Sequence, residues 1–142
     1  MYIGLQHLHS FLSYLVIAGL VASILLAFIG YLKGNLFTDR DRKFALLGLI
    51  PAHLQWIIGL VLYVVSPLGW VNLSAQAMGD SLLRLYTLEH PIMMILAVVF
   101  ITIGFSRAKR LRNPRKQFLS IWGYYLTALL FILSRIPWHA WP

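Results

Sequence analysis

Four long apolar runs dominate the chain and are separated by short polar segments. They extend over about residues 5–32, 44–65, 82–105 and 118–136 of the 142-residue sequence. A helix that crosses a bilayer needs roughly 20 mostly apolar residues, each adding about 1.5 Å of length. Each run meets that requirement. The pattern therefore predicts an all-α membrane protein, a four-helix transmembrane bundle that forms a single domain over residues 1–142.

The segments between the runs contain residues that stop or bend helices. Lys-Gly-Asn at residues 33–35 ends the first run, and Ser-Pro-Leu-Gly at residues 66–69 ends the second. Residues 70–81 then predict a loop that is too short to form a domain. Pro51 lies inside the second run and predicts a kink close to His53.

The composition excludes an ordinary soluble protein. The chain is 60% hydrophobic and 11% charged, whereas soluble domains contain roughly 25% charged residues. There is no cysteine, which excludes disulfides, thiolate metal sites, iron–sulfur ligation and covalent c-type haem attachment. Any metal or haem must therefore be held by histidine, methionine, carboxylate or tyrosine side chains.

The basic residues are concentrated in two of the connecting segments. The formal net charge is +8, and ten of the twelve Lys and Arg residues lie between the first and second runs or between the third and fourth. By the positive-inside rule both segments are cytoplasmic, so both termini are predicted to be periplasmic. Anionic lipid headgroups account for this charge, and we expect no nucleic-acid partner. The ten residues are Lys33, Arg40, Arg42, Lys43, Arg107, Lys109, Arg110, Arg112, Arg115 and Lys116.

Each of the first three apolar runs contains a histidine: His9, His53 and His90. Charged groups inside a bilayer cost about 2.5–3.5 kcal/mol each, so ionisable residues there need a partner or a purpose. Neutral imidazoles are axial ligands of haem iron, and an apolar macrocycle suits the interior of a helical bundle. These histidines therefore indicate a haem b site. For any single histidine, the alternative is a hydrogen bond to a neighbouring helix.

Depth in the membrane distinguishes between the possible axial pairs. At about 1.5 Å per residue, His9 lies roughly 6–7 Å from the outer end of its span, His90 roughly 11–12 Å and His53 roughly 18 Å. Two ligands of one iron need similar depths, so the predicted pair is His9 and His90. His53 and His90 form the second choice, because helix tilt and kinks at Pro51 and Pro91 would bring these two histidines to similar depths.

Three charged residues accompany the histidines on the outer side. Arg84 and Arg135 lie at the outer ends of the third and fourth runs, where they are candidate partners for haem propionates. Glu89 is the only carboxylate inside a run. Four roles are open for Glu89: a hydrogen bond to a ligating histidine, a proton relay, a contact to a quinol, or an ion pair with one of the two arginines.

Four stretches carry a resemblance to a known family. They are His-Leu-His-Ser-Phe-Leu-Ser-Tyr at 7–14, Ala-His-Leu-Gln-Trp-Ile-Ile-Gly-Leu-Val-Leu-Tyr at 52–63, Thr-Leu-Glu-His-Pro-Ile-Met-Met at 87–94 and Ser-Arg-Ile-Pro-Trp at 134–138. The chain resembles the small four-span proteins labelled cytochrome b in Bacteroidetes-type bacteria, and its first two stretches are similar to SirB-like membrane proteins. The resemblance implies a b-type cytochrome-like electron carrier or subunit in the bacterial inner membrane, with His9, His53 and His90 at the family's histidine positions.

Three functional hypotheses remain open at this point. The leading one is a haem b protein that passes electrons between a quinol pool and a partner membrane protein, as a subunit of a larger complex. The chain has no nucleophile–base set or phosphate-binding loop that favours a stand-alone enzyme. The second is a non-enzymatic accessory or assembly subunit. The third is a copper or zinc site built from His9, His53 and His90.

Overall fold

The computed structural model describes residues 2–139, and all of its long elements are helices. These are α1 (Tyr2–Lys33), α2 (Asp39–Val65), α3 (Ser81–Arg110) and α4 (Pro114–Ser134). Each is long and apolar enough to cross a membrane, and the described residues contain no β-strand. The prediction of an all-helical chain is confirmed, and four of its helices are long and apolar enough to span a membrane.

Helix α3 has an irregular first third. A single α-helical turn at Ser81–Arg84 is followed by a π-helical segment at Leu85–Glu89, and the regular α-helix begins at His90 and continues to Arg110. The Asp80 side chain accepts hydrogen bonds from main-chain N–H groups of the first turn and so caps the helix. The π-helical segment therefore directly precedes a candidate ligand.

The helix ends follow local sequence chemistry. Gly34 adopts a left-handed conformation, with a φ of 65°, and the N–H of Asn35 donates to the carbonyl of Gly30 at 3.1 Å. This arrangement closes α1 at the Lys-Gly-Asn signal. At the start of α4 the Asn113 side chain caps the helix, with Pro114 in the first turn.

The four helices form a closed ring in which each packs against two neighbours, in the order α1, α2, α3, α4 and back to α1. The rings of Phe37 and Phe118 lie 5.0 Å apart, which places the α1–α2 connection beside the start of α4. Both basic connections are therefore at the same end of the bundle, called here the basic end. At the opposite end, the hydroxyl of Ser66 lies 3.5 Å from that of Tyr2.

The packed core occupies the middle of the bundle and its basic end. The hydroxyl of Tyr125 in α4 donates to the main-chain carbonyl of Ala45 in α2 at 2.9 Å, so this buried polar group is satisfied across the bundle. The hydroxyl of Ser23 lies within hydrogen-bond distance of the carbonyls of Gly19 and Phe44. The largest fully buried apolar and aromatic side chains are Tyr125, Phe118, Leu20, Ile101 and Ile121.

A glycine accommodates the proline inside α2. Helix α2 continues through Pro51, which has no N–H to donate to the carbonyl of Leu47 one turn earlier. Gly19 of α1 lies against that carbonyl, and a Cβ at position 19 would overlap with it. The absence of a side chain at Gly19 therefore allows the two backbones to approach closely at the irregular point of α2.

Candidate functional site

A cavity of about 280 Å³ lies between the helices in the half of the bundle opposite the basic end. Its walls are mostly apolar, with a small number of polar groups, which is the usual character of a small-molecule site. All four helices or their immediate extensions contribute to it. The polar or hydrogen-bonding side chains that line it are Tyr2, Gln6, His9, Ser10, Ser13, Gln55, Trp56, Tyr63, Ser66, Tyr86 and His90.

Two of the three candidate histidines meet in the wall of this cavity. The imidazole centroids of His9 and His90 are 6.3 Å apart, with an angle of 75° between the ring planes. The helices that carry them, α1 and α3, are diagonal to each other in the ring of helices, so the side chains reach towards each other across the interior. Two imidazoles on opposite sides of one metal have centroids roughly 6 Å apart when each metal–nitrogen bond is about 2 Å.

The environment of His90 fixes which of its nitrogens can bind a ligand. Its Nδ1 lies 2.8 Å from the main-chain carbonyl oxygen of Arg135. A carbonyl can only accept a hydrogen bond, so Nδ1 carries the proton and donates, and in the neutral ring Nε2 keeps its lone pair. Metal-binding histidines commonly have this arrangement, in which the ring nitrogen that does not bind the metal donates to a carbonyl, and this hydrogen bond orients the ring.

The environment of His9 contains two unpaired polar atoms. Nδ1 of His9 and Oε1 of Gln55 are buried and have no hydrogen-bond partner within residues 2–139. The Gln55 amide nitrogen donates to the main-chain carbonyl of His9 at 2.8 Å, and the imidazole packs against Gly59, where a Cβ would lie 3.1 Å from Cε1. Buried polar atoms without partners are uncommon and cost free energy, so this pair makes the surroundings of His9 a candidate ligand site.

His53 is not part of this cavity. Its Nδ1 lies 2.8 Å from the carbonyl of Leu49 in its own helix, and its Nε2 lies 3.2 Å from the hydroxyl of Thr102 in α3. The structure therefore brings His9 and His90 together and places His53 in a separate contact between α2 and α3. Within residues 2–139 no group of three or more His, Cys, Asp or Glu side chains is arranged to hold a metal ion.

Both outer arginines contact the same carboxylate beside the cavity. Nε of Arg84 lies 2.9 Å from one oxygen of Glu89, and Nε of Arg135 lies 3.1 Å from the other. The arginine side chains are 39% and 42% exposed. One carboxylate between two guanidinium groups leaves a formal charge of +1. Of the roles considered for Glu89, the structure shows the ion pair, and both arginines take part in it.

Tyr63 supports the irregular start of α3. Its hydroxyl donates to the main-chain carbonyl of Thr87 at 2.8 Å. Pro91 has no N–H, so this carbonyl lacks its usual α-helical donor four residues later, and Tyr63 supplies a donor from α2. The contact holds the π-helical segment immediately before His90. Such segments occur frequently at functional sites.

Sequence reasoning assigned a role to His9 on α1 but none to its polar neighbours. Gln6, Ser10 and Ser13 lie three residues before, one after and four after His9, which places them on the same side of the helix, and all of them line the cavity. This spacing was a readable signal. The role of Gln55 had no comparable signal, because its partner is a main-chain carbonyl on another helix.

Comparisons with protein-family models, curated proteins and solved structures find no match for the chain. The site is therefore interpreted from the chemistry and geometry of its own residues.

Proposed function

We propose that the chain is a b-type cytochrome-like electron-transfer protein of the membrane, which holds haem b through His9 and His90. The observation that carries the proposal is the approach of these two imidazoles, 6.3 Å apart, in the wall of an intramembrane cavity. Neutral imidazoles are common axial ligands of haem iron, and with no cysteine in the chain a thiolate ligand is excluded. The resemblance to small four-span cytochrome b-like proteins supports the same assignment.

The residues of the cavity suit the group chemically. The carbonyl of Arg135 orients His90, and apolar side chains such as Met94, Val98 and Ile101 line the space that a macrocycle needs. The volume of about 280 Å³ is close to the lower end of the roughly 300–1,000 Å³ of small-molecule sites. A group as large as haem therefore requires movement of flexible lining side chains, of which Met94 is one. Bound haem b would supply a one-electron Fe(III)/Fe(II) couple.

The charged cluster beside His90 provides the positive charge that anionic haem propionates need. Arg84 and Arg135 together carry two positive charges, and Glu89 neutralises one of them. The remaining charge favours a carboxylate at the outer rim of the cavity, where the arginines are partly exposed. Glu89 holds both guanidinium groups in position beside the site before a ligand arrives.

The basic end supports an orientation for the bundle in the membrane. Because ten basic residues lie there, we infer that this end faces the cytoplasm and that both termini face the periplasm. The cavity then opens towards the periplasmic side of a bacterial inner membrane. For a protein built from four such helices, we propose membrane components as electron partners: a quinol as donor and a partner membrane protein as acceptor.

An absorption spectrum tests the proposal directly. The purified protein, expressed with a haem precursor, should show a Soret band, and after dithionite reduction it should show the sharp α band of a low-spin b-type haem. A short-chain quinol should reduce the same haem. A protein that remains colourless, even after incubation with haem, would instead support an accessory subunit in which His9 and His90 serve only packing.

A further inference from the structure

Four cations at the basic end are held over aromatic rings. A basic group within about 6 Å of a ring centroid is attracted to the ring face, which restricts its motion. Two of the pairs, those of Arg107 and Arg115, connect neighbouring helices. The four pairs are Arg40 over Phe44 at 5.3 Å, Arg107 over Tyr124 at 5.9 Å, Lys109 over Phe105 at 5.6 Å and Arg115 over Tyr31 at 4.8 Å.

Arg115 has the shortest of these contacts and no acidic partner. The chain has only two acidic residues at this end, Asp39 and Asp41. Asp39 pairs with Arg42 at 3.1 Å, and Asp41 accepts hydrogen bonds from Thr38. Within residues 2–139 no carboxylate pairs with Arg115. Arg115 is an exposed residue, and a guanidinium group over a ring face keeps its N–H donors free for an external anion.

An apolar strip of α4, formed by Leu119 and Trp122, continues from Arg115 towards the centre of the membrane. Leu119 and Trp122 lie four and seven residues after Arg115, on the same side of α4, and Trp122 is about 10 Å deeper. The indole packs against two rings of α1, with centroids 5.4 Å from Phe28 and 6.0 Å from Tyr31. Leu119 is 44% exposed. On a membrane-spanning helix, such an exposed apolar side chain contacts lipid.

We propose that Arg115 and the apolar strip below it bind an anionic phospholipid. The phosphate group contacts the Arg115 guanidinium, which Tyr31 holds in place, and an acyl chain lies along Leu119 and Trp122. The arrangement has a fixed cation at headgroup level and an apolar wall directly below it, which complements both parts of the lipid. The excess of ten basic over two acidic residues at this end favours an anionic lipid over a zwitterionic one. The site is independent of the haem site.

Native mass spectrometry of the detergent-solubilised protein tests the lipid site. Phosphatidylglycerol and phosphatidylcholine with identical acyl chains are titrated separately, and binding of each to the wild-type protein is compared. We expect tighter binding of phosphatidylglycerol. The Arg115→Ala variant should weaken that binding about fivefold, the factor expected for one basic residue near an anionic headgroup.

Arg112→Ala is the matched control, because Arg112 is an exposed arginine of the neighbouring connection and loses the same charge. It should bind phosphatidylglycerol nearly as well as the wild type, and Arg115→Lys should fall between the two alanine variants because it retains charge but loses the planar group. Circular dichroism verifies that each variant is folded. Equal losses in the two alanine variants, or equal binding of the two lipids by the wild type, would refute a specific site at Arg115.

Discussion

The main-chain carbonyl of Arg135 accepts a 2.8 Å hydrogen bond from Nδ1 of His90, although the two residues are 45 positions apart in the sequence. The side chain of the same arginine lies 3.1 Å from Glu89, which directly precedes His90. Arg135 therefore acts on the histidine in two ways: its main chain orients the ring, and its side chain sets the local charge. Mutation of the side chain removes only the second.

In the haem-bound form that we propose, replacement of Arg135 by alanine should therefore keep the low-spin spectrum and lower the midpoint potential. The main-chain hydrogen bond to His90 remains, whereas the loss of a nearby positive charge stabilises the oxidised form. Glu89→Gln should change the potential in the opposite direction. Spectroelectrochemical titration measures both shifts, with Arg112→Ala as the control at the distant basic end. Unchanged potential and full haem occupancy in Arg135→Ala would remove the propionate assignment.

Replacement of Gly19 by alanine should destabilise the bundle. A Cβ at this position would overlap with the Leu47 carbonyl, and the backbone shift that relieves it should cost about 1–3 kcal/mol. Gly123→Ala is the matched control, since a Cβ there meets no atom within 4 Å. Thermal unfolding in detergent compares the two variants. Equal stability would show that the close approach of α1 and α2 at Pro51 is not needed.

Replacement of Tyr63 by phenylalanine should loosen the start of α3. The variant loses the hydrogen bond to the Thr87 carbonyl, and an interhelical hydrogen bond of this kind contributes about 0.6–1.7 kcal/mol in a membrane protein. Hydrogen exchange should increase in the π-helical segment. Tyr124→Phe serves as the control, because the Tyr124 hydroxyl has no hydrogen bond to another described residue. The same exchange in both variants would contradict the role given to Tyr63.

Single-cysteine labelling should place the basic end in the cytoplasm. The native chain has no cysteine, so Leu36→Cys in the α1–α2 connection and Val71→Cys in the α2–α3 connection can each be labelled alone. Both native side chains are exposed. A membrane-impermeant maleimide applied to intact spheroplasts should label position 71 and should reach position 36 only after lysis. The reverse pattern would invert the proposed orientation.

The number and approximate limits of the helices could be predicted because the apolar runs are long and their ends contain helix-stopping residues such as Gly34. Counting residues from the ends of the runs favoured His9 with His90 over His53, and the rings of His9 and His90 lie 6.3 Å apart. The side of α2 that faces the interior could not be predicted, because apolar residues occur all around this helix and no polar face orients it. His53 was therefore considered a possible ligand.

The packing of α2 explains this difficulty. Its buried positions are occupied by the small residues Ala45, Gly48 and Ala52, whereas large side chains such as Leu54 and Ile57 are exposed. Lipid is as apolar as the side chains, so small residues face the neighbouring helices and large ones face outwards. The distribution is the reverse of that in a soluble protein. The support of α3 by Tyr63 could not be predicted either, since its partner is the main-chain carbonyl of Thr87 on another helix.

The most direct test of the account is the haem content of three histidine variants, measured with their reduced-minus-oxidised spectra. His9→Ala and His90→Ala should each lose the low-spin spectrum, because each removes one of the two imidazoles that meet in the cavity. His53→Ala should retain haem and its spectrum, since His53 contacts Thr102 outside the cavity. Loss of the spectrum in His53→Ala with retention in His9→Ala, or a wild-type protein with no haem bands, would contradict the assignment.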